Sequence, residues 1–160
     1  MEDDGIVRIL RWVAKVITER TKDFKPQELS NSVWAFSTIG FGYDESCGTN
    51  AHNDYVHVMS DAPLEDKTLV FTTLETIAEN ALPRLGKFKA QELNNLAWGF
   101  ARLGHRTERS EQLFRGVGEE LKRRGWQFKP QVGLLLLFAR GPYFRDIIRL
   151  SLFVTSHAIH

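Results

Sequence analysis

A segment of 17 residues is written twice in this chain, and that repetition constrains the fold more than any other feature. Phe24-Lys25-Pro26-Gln27-Glu28-Leu29-Ser30-Asn31-Ser32-Val33-Trp34-Ala35-Phe36-Ser37-Thr38-Ile39-Gly40 recurs as Phe88-Lys89-Ala90-Gln91-Glu92-Leu93-Asn94-Asn95-Leu96-Ala97-Trp98-Gly99-Phe100-Ala101-Arg102-Leu103-Gly104. A third, worn copy begins at Phe128-Lys129-Pro130-Gln131 and keeps Phe138 and Ala139 where the others have Trp-Ala and Trp-Gly. Phe128 follows Phe88 by 40 residues, whereas Phe88 follows Phe24 by 64, an excess matched by the compositionally different stretch from Asp44 to Asp66. That stretch reads as an acidic loop insertion.

The register extends upstream of each phenylalanine. Leu10, Leu74 and Phe114 stand 14 residues before it, Val13, Ile77 and Val117 stand 11 before, and Ala14, Ala78 and Gly118 stand 10 before. Ile17, Ala81 and Leu121, seven before, complete an i, i+4, i+7 stripe, which is one face of an amphipathic helix A. Pro26 and Pro130, with Ala90 between them in register, fall near the start of a second helix B, where the missing N–H costs nothing. Gly40 and Gly104 suit left-handed caps at its end. Each unit of about 40 residues is then a helix pair that must bury its apolar face on neighbours. The expected fold is all-α, an α-solenoid of about three antiparallel helix pairs. Its expected divisions are repeat 1 over residues 1–43, the insertion over 44–67, repeat 2 over 68–107, a degenerate repeat 3 over 108–142 and an apolar tail over 143–160.

Composition narrows the class. The chain has 160 residues, 42% hydrophobic and 26% charged, as in an ordinary globular domain. Its longest clean apolar run, Leu134 to Ala139, falls far short of the roughly 18 residues a spanning helix needs. No membrane partner is expected. One cysteine, Cys47, and a net charge of +1 leave no disulfide scaffold and no strongly basic tail, so a reducing compartment is expected. The acidic start Met1-Glu2-Asp3-Asp4-Gly5 shows neither a signal peptide nor a transit peptide, which reads as a cytosolic chain or one whose true N-terminus lies upstream.

Sites of chemistry are not apparent. Cys47, His52, Asp54 and His57 lack zinc spacing and lie in a Gly/Asn/Ser/Asp-rich stretch that reads as a loop. Gly116-Val117-Gly118 falls inside a helix A with no strand before it, so its glycines suit close helix packing rather than a dinucleotide loop. P-loop, HExxH, GxSxG and kinase catalytic-loop patterns are absent from the sequence, and the expectation is a non-enzyme without cofactor or metal. Pro142 breaks the third helix B, and Ile147 to Val154 is compatible with a short helix or a strand.

Helix B carries the functional reading. At 100° per residue, Leu29, Val33, Phe36 and Ile39, like Leu93, Ala97, Phe100 and Leu103, form a core face. Opposite lies a polar line, Gln27, Asn31 and Thr38 in one unit and Gln91, Asn95 and Arg102 in the next, edged by Trp34 and Trp98. Amides flanked by rings and arginine are what helical repeats use on single-stranded RNA, hydrogen-bonding base edges and stacking on their faces. The alternative is that the asparagines are packing or capping amides and the tryptophans are wedges between units. Between Arg84 and Lys129 there are eleven Lys and Arg against five Glu, which suits phosphate contact as well as an ordinary solvated helix surface. Lys87, Lys89 and Arg106 are the candidate phosphate contacts, whereas the acidic insertion would repel RNA and should point away from it.

The two long copies, Phe24 to Gly40 and Phe88 to Gly104, resemble the octotricopeptide-like repeats of algal and protist organelle proteins. These include Tbc-type chloroplast translation factors, FAST-kinase-like and RAP-associated repeats, and subunits of the kinetoplastid RNA-editing substrate-binding complex. The resemblance covers roughly 110 residues and is weaker over the A helices. It implies binding of organellar transcripts, in a mitochondrion or chloroplast, for processing, stability or translation, alongside other proteins of an RNA-processing complex. Two departures stand out: only three units, and Leu135 where the other units have asparagine, so the chain looks like a fragment of an array or a truncated paralogue. The rival class is a HEAT- or armadillo-like scaffold whose groove takes a protein.

Overall fold

The stripe through Leu10, Ala14 and Ile17 produces helix α1, Asp4–Arg20, and buries all three side chains. A computed structural model of the protein describes residues 4–41 and 63–124. After α1, a 3-10 turn at Thr21–Asp23 leads to α2, Pro26–Ile39; then come α3, Leu64–Ala81, a 3-10 segment at Leu82–Lys87, α4, Ala90–Arg102, and α5, Glu108–Arg123. The described residues are all-helical, with no strand among them. Cys47, His52, Asp54 and His57, most of the insertion, the third helix B with Leu135 and Pro142, and the tail over 143–160 lie outside the described residues.

The helix B ends are built alike in both units. Pro26 stands in the first turn of α2, and Glu28 Oε2 accepts from the Lys25 backbone N–H at 2.8 Å. Glu92 Oε2 accepts from the Lys89 N–H at 2.7 Å, so the Glu at the third position of each helix ties down the residue before it. At the other end Gly40 and Gly104 have φ of 76° and 65°, a left-handed conformation that glycine adopts without a Cβ clash. The following N–H then turns back onto the helix, Phe41 to the Phe36 carbonyl at 2.9 Å and His105 to the Phe100 carbonyl at 3.2 Å.

Helices of the same kind pack on one another: α1 on α3, α3 on α5, and α2 on α4. Arg11 donates to both carboxylate oxygens of Asp66 at 2.5 and 2.7 Å, and Thr18 Oγ1 lies 3.0 Å from Thr73 Oγ1. Both pairs are 55 residues apart, so α1 and α3 run parallel. Along α2 and α4, Val33 meets Gly99 and one turn later the Ser37 carbonyl meets Arg102, so these run parallel too. Leu29, Val33, Phe36, Leu74, Ile77, Leu93, Phe100 and Leu113 belong to one common core.

One boundary differs from the sequence reading. Helix α3 begins at Leu64, inside the stretch assigned to the insertion over 44–67 and ahead of the expected start of repeat 2 at 68. Acidic composition suggested loop, but Glu65 and Asp66 sit in the first helical turn, where the helix dipole favours negative charge. Asp66 is buried, and its charge is met by Arg11 across the unit boundary.

Candidate nucleic-acid interface

The core faces of α2 and α4 turn inward, which leaves their polar lines outward on neighbouring parallel helices. Gln27, Asn31 and Gln91 are exposed, while Thr38, Asn95 and Arg102 are half-buried. Neither Asn31 nor Asn95 is a buried packing amide. The neighbour Asn94 is buried instead, with Oδ1 lacking a partner among the described residues, where the equivalent Ser30 returns its hydroxyl to the Gln27 carbonyl at 3.1 Å. Thr38 Oγ1 donates to the Trp34 carbonyl at 2.8 Å, so its hydroxyl proton is already committed inside the helix.

Arg102 crosses the gap between the lines. Its Nε donates to the Ser37 carbonyl at 2.8 Å, one of the acceptors left over at the end of α2, and its guanidinium lies 5.1 Å from the centre of the Trp98 ring. The residue read from sequence as an RNA contact therefore also joins the two units. The tryptophans, read as matching wedges in one alternative, differ from each other: Trp98 is half-buried beneath Arg102, whereas Trp34 stands 47% exposed. With nearly half its surface exposed, Trp34 is not buried as a wedge between α2 and α4.

The cationic candidates fall in two places. Lys87 and Lys89 are exposed just before α4, and Arg106 is exposed just beyond its C-terminal end. A helix of 13 residues spans about 20 Å, so the structure does not gather the three at one spot. Lys25 escaped the sequence reading although the repeat itself announces it: it precedes α2 as Lys89 precedes α4, and both are exposed. Because α2 and α4 run parallel, Lys25, Lys87 and Lys89 share the N-terminal edge of the pair. That edge also presents positive helix ends to an anion.

One cluster of perturbed titration lies where α5 meets α3. His105 is buried between the rings of Phe71 and Phe100, with Nε2 2.7 Å from Glu75 Oε1, and burial pushes its pKa below the usual histidine value despite that carboxylate. Facing a carboxylate oxygen, which can only accept, the ring donates Nε2–H to Glu75. Burial pulls the Glu75 carboxyl upward, but hydrogen bonds from Thr107 and His105 and the charges of His105 and Arg109 outweigh it and hold Glu75 below the ordinary carboxylate range. The cluster ties the α4–α5 connection to α3 and is closed to solvent at its histidine. Among the described residues, no group of His, Cys, Asp and Glu could hold a metal ion, and no helix is long and apolar enough to cross a membrane.

No family model, curated protein or solved structure matches the chain. A functional reading therefore rests on the internal repeat and on what this surface offers.

Proposed function

We propose that the units form an α-solenoid of antiparallel helix pairs whose helix B surface binds single-stranded RNA. The observation that carries the reading is the outward placement of Gln27, Asn31, Gln91 and Asn95 on adjacent parallel helices, beside the open Trp34 ring. Amides present both donors and acceptors to base edges, and an open indole stacks on a base face. Lys25, Lys87 and Lys89 would meet phosphates at one edge of that surface. The protein acts by binding rather than catalysis in this reading, on an organellar transcript as the repeat resemblance implies. A HEAT- or armadillo-type groove for protein would call for an apolar lining, yet Trp34 is the one large apolar side chain in the open on α2 and α4 among the described residues.

Titration of the full chain with single-stranded and double-stranded RNA across a salt series tests this. Affinity for the single strand should fall with salt, with a logarithmic slope of about −0.7 for each phosphate neutralised. Lys89→Ala should flatten the slope by about that amount for all sequences, while Asn31→Ala should weaken binding to particular sequences and leave the slope alone. Failure of any single-stranded RNA to bind at low salt would sink the reading.

A further inference from the structure

An arginine stands four residues before the phenylalanine of each string: Arg20, Arg84 and Arg124. All three occupy the bend that follows helix A, with φ of −133°, −130° and −104°. The backbone places them alike, but their partners differ. Arg20 Nε donates to Asp23 Oδ2 at 2.9 Å on the surface. Arg124 is fully engaged: Nε donates to Glu120 Oε2 at 2.9 Å, while Nη1 and Nη2 reach the Phe88 and Gly86 carbonyls of the preceding unit at 2.5 and 2.6 Å. Arg84 makes one hydrogen bond among the described residues, from Nε to the Asn80 carbonyl at 3.2 Å, and pairs with no carboxylate there. Its Nη2 is buried without a partner, as is Asn80 Oδ1 one turn upstream. The register shows why: the position of Glu120 in unit 3 is held by Asn80 in unit 2. Burial pulls the Arg84 pKa below the ordinary arginine value, and no acid among the described residues offsets that cost.

We infer that Arg84 and Asn80 form a site for a phosphate group at the turn between α3 and α4. The chemistry of the pair selects this ligand. A guanidinium presents a planar fork of donors that matches two oxygens of a phosphate, and a neutral amide beside it does not occupy the fork as Glu120 occupies that of Arg124. Half a rotation of the Asn80 amide exchanges its acceptor for an NH2 donor, where a carboxylate could only accept. Arg84 is half-buried rather than enclosed, so the guanidinium can turn to an approaching anion. Position selects the same ligand. Helices α1 and α3 run parallel, so the end of α3 lies beside the Thr21–Asp23 turn that follows α1, and the two are in contact. Lys22 in that turn, Lys25 after it and Lys87 after Arg84 are all exposed. Of the acids that flank these cations in sequence, Asp23 is held by Arg20 and Glu79 by Arg109. A phosphodiester of RNA and a free phosphate compound share this chemistry; if the source is RNA, the site extends the helix B surface and rests on that reading.

Thermal midpoints of the full chain in sodium phosphate and in sodium chloride of equal ionic strength test the inference. Phosphate stabilises folded proteins in general by exclusion from their surface, so the diagnostic is the difference between parent and variant. Arg84→Met should raise the midpoint in chloride, because it removes a desolvated charge with no partner, and should lose the part of the phosphate response that the site contributes. Asn80→Glu, which installs the acid of unit 3, should do the same while keeping the arginine, and it carries the test should Arg84→Met fail to fold. The excess response of the parent over the variants should saturate as phosphate rises. A phosphate response equal in parent and variants overturns the inference. Single-stranded RNA in a salt series identifies the source. An Arg84→Met slope flatter by about 0.7 assigns the site to a nucleic-acid backbone, and an unchanged slope beside a lost phosphate excess assigns it to a free phosphate compound. A parent that binds no RNA yet shows the phosphate excess removes the RNA reading and leaves this one standing.

Discussion

Helices α2 and α4 share a sequence string, and their interiors are interchangeable while their edges are not. Leu29, Val33 and Phe36 are buried in one, and Leu93, Ala97 and Phe100 in the other. The paired glutamates Glu28 and Glu92 make the same bond to the residue before each helix, and Gly40 and Gly104 make the same turn. Yet Trp34 is open to solvent where Trp98 lies under a guanidinium, and Ala35 is half-buried where Gly99 is pressed against Val33. A helix in a stack has its inner face specified by its own pattern, but its flanks are specified by whichever neighbour stands beside them. Recurrence of a residue therefore establishes its inward or outward placement more firmly than its partner.

The largest expected effects should be equal in the two units. Phe36→Ala and Phe100→Ala each remove a fully buried ring, and each should cost about 3–5 kcal/mol in chemical denaturation. A gap of more than about 2 kcal/mol between them would break the claim that the interiors are interchangeable.

At the contact between helices the two units should part. Alanine is the better helix former by about 1 kcal/mol, so Gly99→Ala on an open helix would stabilise. Here the added Cβ would lie 2.4 Å from Val33 Cγ1 and 3.0 Å from the Val33 carbonyl oxygen. The expectation is a net loss of about 1–3 kcal/mol, partly recovered in the Gly99→Ala, Val33→Ala double variant. Ala35→Gly, at the equivalent position in α2, should cost only the propensity difference. Trp98→Ala should lose about 2 kcal/mol through its half-buried ring and the Arg102 contact, against about 0.5 kcal/mol for the open Trp34→Ala. Equal losses would return both rings to a shared wedging role.

The join between α3 and α5 makes a pH prediction. Folded His105 titrates below 6.5, so on acidification the unfolded chain takes up its proton first. Stability is present above 6.5 and is lost as pH falls through that value toward the folded pKa. Glu75, held below 4.5, adds a second loss as pH falls beneath that point. Urea midpoints measured against pH should show both limbs, and His105→Leu should flatten the upper one. An unchanged upper limb in that variant would assign the loss to other groups.

Much of the fold was legible because burial has a period. The stripes of α1, α3 and α5, the core face of helix B and the capping glycines all follow from spacing alone. The start of α3 was not, because the aspartate that looked like loop composition is neutralised by Arg11, 55 residues away in sequence. The candidate site was legible as a line of outward amides, and less so as chemistry. Arg102 looked like an RNA contact, but spacing cannot reveal that the Ser37 carbonyl beside it is an unpaired helix-end acceptor. Lys25 was missed by counting charge along one stretch instead of carrying Lys89 back through the repeat.

The smallest predicted difference concerns the caps. Glu28→Ala and Glu92→Ala each remove the acceptor for one backbone N–H and a negative charge from a helix start, together about 0.3–1.5 kcal/mol. Glu28 is exposed, so after substitution water reaches the freed Lys25 N–H at once. Glu92 is buried, so its bond to Lys89 N–H faces less competition from water and its removal empties a packed position. The loss for Glu92→Ala should be the larger, while Glu92→Gln keeps an acceptor in place and should recover part of it. If the two alanine variants prove equal, the helix starts belong with the interiors as features the repeat specifies by itself. If Glu92 costs more, they belong with Trp34 and Trp98, whose contribution depends on the neighbour alongside.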